Sequence, residues 1–144
     1  MRPEIIIMST SIIVLFLILY FKKSPVKYTI VKIDGTEIRA EIADTFTKRT
    51  KGLMFRKTLP ENEGMLFIFG NEDYHNFWMM NMSFPIDIIF VKKEKRVVDI
   101  ISNAQPCKLT CSTYKPKEKA IYALEVNANF AEEHGIKIGT LLEF

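Results

Sequence analysis

The sequence predicts a mostly-β protein: a compact β-sandwich or jelly-roll-like domain with two short helices, preceded by one N-terminal transmembrane helix. Three observations predict it. An uncharged apolar run extends from Ile5 to Phe21 and is closed by Lys22 and Lys23. Behind it, short β-rich segments alternate with turn residues, and only two places carry the caps of a helix. The chain therefore divides into an anchor with flanking charges over 1–23, a linker over 24–27, and a mostly-β domain over 28–144. That last stretch is long enough for one core and too short for two.

The anchor comes first. As a helix, Ile5 to Phe21 would rise about 25 Å, slightly less than a hydrocarbon core of about 30 Å, and Lys22 and Lys23 can snorkel to cover the difference. Its Ile, Leu, Val and Phe residues together favour insertion by about 4–7 kcal/mol as an upper limit. A cleaved export signal would have a basic start and small residues before the cut, whereas Tyr20, Phe21, Lys22 and Lys23 follow here. No cysteine stands behind the run to take a lipid. The lipid bilayer is thus the expected partner of Ile5 to Phe21, and the localisation a single-pass cell membrane protein.

Orientation is a balance of two signals. Lys22, Lys23 and Lys27 outnumber Arg2, which alone favours a cytoplasmic domain. Cys107 and Cys111, close together in a segment containing proline and threonine, would form one disulfide in an oxidising compartment. The second signal sets the expectation of an extracytoplasmic domain. The net charge of +3 is spread among acidic residues without forming a stripe, so nucleic acid is not an expected partner.

The domain opens with a strand over Tyr28 to Ile33, the Asp34-Gly35 hairpin signal, and a second strand over Glu37 to Ile42, the start of an antiparallel meander. Asp44 or Thr45 caps a short helix running through Lys51, and Gly52 is placed to end it as a left-handed C-cap. Gly64 to Phe69, Phe77 to Met82 and Ile86 to Val91 read as strands that are apolar on both parities, hence buried on both faces or lying under loops. Lys92 to Arg96 is a charged turn, followed by strands over Val97 to Ser102 and Ala120 to Asn127. A short helix over Phe130 to His134 stops at Gly135, and Gly139 makes the last turn before a closing strand over Leu141 to Phe144.

Laid out in order, Arg49, Gly52-Leu53-Met54, Arg56, Leu59, Gly64-Met65-Leu66-Phe67, Phe69, Phe77-Trp78-Met79, Asn81, Pro85-Ile86-Asp87, Phe90 and Leu124-Glu125 form a series of motifs. This series resembles the family called domain of unknown function 192, or uncharacterised protein family 0127, from about Ala43 to Phe144. The resemblance implies a compact mostly-β domain similar to a jelly roll, prokaryotic, and often placed behind an export signal or anchor. It also makes a cysteine pair at Cys107 and Cys111 unsurprising, and it implies no particular activity. The chain departs from the family pattern with Asn129 in place of glycine, Thr140 in place of aspartate, and the charged turn at Lys92 to Arg96. Asparagine tolerates a left-handed backbone. The missing acid at Thr140 weakens any chemistry assigned to that position.

Chemistry has few residues to work with. Asp87 and Glu125 interrupt apolar strands while Arg49 and Arg56 flank the Gly-Leu-Met turn, and buried carboxylates require partners or shifted pKa values. The two arginines and two acids make either a polar pocket or structural salt bridges tying the short helix to the sheet. With Trp78 and Asn81 they are the ligand-binding candidates: Arg49, Arg56, Trp78, Asn81, Asp87 and Glu125. Met79 and Met82 with His75 would suit Cu(I), but alternation along a strand points Met79 away from both Met80 and Met82, and methionine is also a core filler. No metal or other cofactor is expected. Cys107 and Cys111 are read first as a structural disulfide, then as a redox pair, and an acyl-transfer nucleophile would need a His and an acid beside it. With catalytic residues unknown and no nucleophile–base constellation, the expectation is a non-catalytic module binding a ligand or partner at the cell envelope. A copper-binding protein and a small hydrolase or thiol enzyme are the alternatives.

Overall fold

A computed structural model describes residues 25–144; the expected transmembrane helix lies outside the described residues. Among the described residues no helix is long and apolar enough to cross a membrane. The domain is mostly β with two short helices.

Strands β1 (Tyr28–Ile33) and β2 (Thr36–Ala43) form an antiparallel hairpin in which Ile33 faces Thr36 across a two-residue turn. Both turn residues have positive φ, Asp34 at 45° and Gly35 at 80°, the backbone that a tight hairpin needs and that Asp-Gly supplies at low cost. Helix α1 (Phe46–Lys51) follows, with the Thr45 side chain accepting a hydrogen bond from the Lys48 N–H. Gly52 ends it with φ 49°, but its ψ of −136° lies outside the left-handed helical region expected of it. That combination is open essentially to glycine alone, and it turns the chain sharply back over the sheet.

Strand β3 (Glu63–Asp73) then pairs with β2 in parallel, since α1 and the loop behind it act as a crossover and break the expected meander. Next come β4 (Phe77–Trp78), β5 (Ile86–Val91), β6 (Val97–Ala104), β7 (Thr113–Tyr114), β8 (Ala120–Asn127), helix α2 (Phe130–Glu133) and β9 (Leu142–Glu143). Strand β4 is shorter than its apolar sequence implies. Asn81 takes φ 58° and the Met82 N–H turns back onto the Met79 carbonyl at 3.3 Å, so extended pairing stops after Trp78.

Seven strands form one sheet in the order β6-β5-β8-β3-β2-β1-β9, and β4 and β7 form a two-stranded ribbon. The large sheet curls until its ends meet: Arg96 and Leu141 form a bridge, the Val97 N–H reaches the Thr140 carbonyl at 2.9 Å, and the Leu142 N–H reaches the Lys95 carbonyl at 2.8 Å. Side chains from all seven strands, among them Val31, Ile38, Leu66, Ile89, Val97, Leu124 and Leu142, meet inside the curl, with Phe130 and Ala131 of α2 packed on them. A second cluster covers the outer face of the central strands, where Met65, Phe67, Ile88, Phe90 and Ala123 meet Leu53, Leu59, Phe77, Met79 and Met82 from the overlying loops. Strands β3, β5 and β8 thus bury both faces, which accounts for their apolar residues on both parities.

Candidate functional site

The outer cluster is not filled. Between α1 and its exit, β3, and the β4–β7 ribbon lies a cavity of about 530 Å³, within the range of small-molecule sites. Phe67, Phe69, Phe77, Leu53, Met54 and Met82 contribute its apolar walls. Phe46, 78% exposed, and Trp78, 44% exposed, stand at its mouth, with Arg49 and Lys51 from α1.

Glu125 lines the floor. On β8 the alternation that sends Leu124 and Val126 into the curl sends Glu125 to the outer face, in register with Met65 of β3 and Ile88 of β5. These neighbours offer it no hydrogen bond. Glu125 is 5% exposed and its Oε2 has no partner. Burial pushes the carboxyl up to about 8, against the pull of the Arg56 charge. At neutral pH the group is therefore a protonated, uncharged acid. Gly52 passes directly over this floor, where a Cβ would make ordinary contacts, 3.4 Å from the Phe67 ring and 3.7 Å from Glu125 Oε2, so it is the positive φ of 49° that calls for glycine.

The structure divides the six ligand-binding candidates. Arg49, Trp78 and Glu125 line the cavity. Arg49 is fixed by two carbonyl oxygens, donating to Asp44 at 2.8 Å and Ile68 at 3.0 Å, and its guanidinium carbon lies 5.4 Å from the Phe69 ring centre. Arg56 forms an ion pair with Glu41 of β2, so neither arginine is bonded to Asp87 or Glu125. Asn81 is exposed, and its carbonyl accepts the Phe55 N–H at 3.0 Å. Asp87, fully buried, accepts backbone N–H groups of Asn103 (2.8 Å), Asn129 (3.1 Å) and Ala131 (2.9 Å). It tethers α2 and the end of β6 to β5, away from the cavity lining.

Cys107 and Cys111 are joined by a disulfide with Cα atoms 5.5 Å apart, and no free thiol exists among the described residues. The Cys107 N–H donates to the Met79 carbonyl at 3.1 Å, which pins the disulfide loop beside the segment leading from β4. Two residues beyond Cys111, Thr113 pairs with Trp78 and lines the cavity. Met79 and Met82 both pack in the outer core, while His75 stacks on Phe69 with ring centres 3.6 Å apart and its Nε2 lies 3.0 Å from the Asn71 carbonyl. Among the described residues no three His, Cys, Asp or Glu side chains converge as a metal site. Sequence reading missed the aromatic walls, because Phe67, Phe69 and Phe77 look like ordinary core, and it missed Phe46, an exposed aromatic on a short helix. The signal that pointed to the site was an acid inside an apolar strand.

A UPF0127 protein of Pyrococcus furiosus is 33% identical over 117 residues, covering 76% of this chain and 91% of the relative. A UPF0127 protein of Pyrococcus abyssi is 31% identical over 113 residues, covering 75% and 87%. The crystal structure of a protein of unknown function from Novosphingobium aromaticivorans superposes with a TM-score of 0.76 at 35% identity, covering 85% of this chain and 89% of that one. The family DUF192, described as Uncharacterized ACR, matches residues 29–144, and on this match and these relatives the chain belongs to the DUF192/UPF0127 family.

Proposed function

We propose that this protein is a membrane-anchored, extracytoplasmic binding module, without catalysis, that holds a small and largely apolar molecule in the cavity over Glu125. The observation that carries the reading is the cavity itself: about 530 Å³ of mainly apolar space whose floor keeps a buried carboxyl with an unpartnered oxygen. Packing normally closes such a space and pairs such a group, so an open cavity over an orphan acid is the pattern of a ligand site. Arg49, Trp78 and Glu125 are its polar and aromatic contacts, with Arg56 behind them and the bilayer engaged through Ile5 to Phe21. The jelly-roll-like curl serves as a rigid scaffold for the loops that roof the cavity. Binding is favoured over hydrolysis because, among the described residues, neither Thr50 nor Thr113, the cavity's hydroxyls, is hydrogen-bonded to a histidine or carboxylate, and both cysteines are in the disulfide.

The test is an NMR titration of the full chain in lipid nanodiscs with hexan-1-ol, corrected for partition into the lipid. Shifts confined to Gly52, Phe67, Phe77 and Glu125, lost in Met54→Trp, which fills the cavity, support the reading. An unresponsive cavity, or the same response in Met54→Trp, refutes it. Trypsin added to spheroplasts tests the topology: an exported domain is cut at its Lys117 and Lys119 segment, and a cytoplasmic one is spared.

A further inference from the structure

Glu125 is buried at a cost that the fold does not recover. A hydrophobic residue of similar size between Met65 and Ile88 would pack the same strands without desolvating a carboxyl. What remains to explain is which ligand atom such a group would meet. The charges around it narrow the answer. Arg56, the cation whose field reaches Glu125, is engaged by Glu41 on β2. Arg49 and Lys51 of α1 line the cavity, β3 adds the uncharged rings of Phe67 and Phe69, and the cross-strand neighbours of Glu125, Met65 and Ile88, carry no charge. A site for an amine would not be lined by cations. A site for an inward-pointing carboxylate would place a cation, not an acid, on the floor, since two carboxyl groups at close range disfavour ionisation of either. An uncharged acid whose O–H has no acceptor in the protein needs an acceptor from the ligand.

Resting on the binding reading above, we propose that Glu125 is the hydrogen-bond donor of the site, and that the ligand is an apolar molecule whose buried end is an uncharged acceptor, a carbonyl oxygen of the ketone, ester or amide class. The Glu125 O–H points to that oxygen, the aromatic walls hold the body, and Gly52 leaves the carboxyl uncovered.

The experiment compares 2-hexanone, hexylamine and hexanoate on the full chain in nanodiscs, by NMR shifts at cavity residues, in wild type, Glu125→Gln and Glu125→Met. Glutamine keeps a neutral donor, methionine keeps the volume without one, and neither leaves a buried charge, so both variants fold. Wild type binds the ketone more tightly than the amine or the carboxylate. Glu125→Gln retains ketone binding and Glu125→Met loses it about tenfold, the size of one buried hydrogen bond. Raising the pH from 6 to 9.5 weakens ketone binding in wild type, because the ionised carboxylate no longer donates, and leaves Glu125→Gln unchanged. Tighter binding of hexylamine, or equal ketone binding by wild type and Glu125→Met, overturns the proposal while the cavity stands as a binding site. Silence from every probe, hexan-1-ol included, overturns the binding reading and this one with it.

Discussion

Replacing Glu125 by glutamine changes how stability depends on pH. In the folded chain the carboxyl titrates at about 8, raised from 4.5 by burial. Below pH 4.5 the folded and unfolded chains both hold the proton, so the shift has no effect on stability there. Between 4.5 and about 8 the unfolded chain releases a proton that the folded chain keeps, and stability falls by about 1.4 kcal/mol for each pH unit. From pH 5 to pH 7.5 wild type therefore loses about 3 kcal/mol relative to Glu125→Gln, whose amide does not titrate. Every other titrating group is common to the two proteins and cancels in the comparison. The assay is urea unfolding of the full chain in a mild detergent at the two pH values, followed by the fluorescence of Trp78, the only tryptophan. A gap between the variants that widens by about 3 kcal/mol toward alkaline pH fits the buried acid. A gap of the same size at both values would mean that Glu125 is hydrated or paired, and the electrostatics described for the floor would be wrong.

Asp87→Ala removes the acceptor of three backbone N–H groups at a fully buried position and is expected to cost about 4 kcal/mol. Hydrogen exchange is expected to show the loss in α2 and at the end of β6 before the hairpin β1–β2, and uniform loss of protection would contradict a local tether. Reducing the Cys107–Cys111 disulfide, which closes a loop of sequence separation 4, is expected to lower stability by about 2 kcal/mol on the chain-entropy estimate. A reduced protein with an unchanged urea midpoint would show that the loop is held by its contacts with Met79 alone.

Local patterns fixed much of the domain in advance. Ile86 to Val91 and Ala120 to Asn127 were legible to the residue, because they are short, largely apolar runs, interrupted mainly by Asp87 and Glu125, and too brief for a helical period to compete. The parallel pairing of β2 with β3 was not, since it depends on where the chain returns after Gly52, whose φ of 49° and ψ of −136° no local pattern specifies. Strand β4 ended early for a similar reason, with Asn81 in a positive-φ turn that an apolar run conceals. The two acids carried the same signal in sequence and met different surroundings. Asp87 sits where α2 begins and is satisfied by its amides, whereas Glu125 sits opposite Met65 and Ile88, which have nothing to donate. Register across three strands separates the two cases, and it is not written in either segment alone.

The meeting of β1 with β9 bears on how the domain is made. β1 is the first strand described after the apolar N-terminal run and β9 the last, and Ile33 of one lies opposite Leu142 of the other. The sheet therefore cannot close before β9 is made, because its seam waits for a segment that follows every other strand. A nascent domain would hold its central strands with one flank open, a state prone to associating with its neighbours. Completion becomes a late and abrupt step. Replacing Phe144, whose ring packs on Tyr122 and lies beneath the Lys95 ammonium, would burden that step more than an insertion in the exposed turn near Leu109.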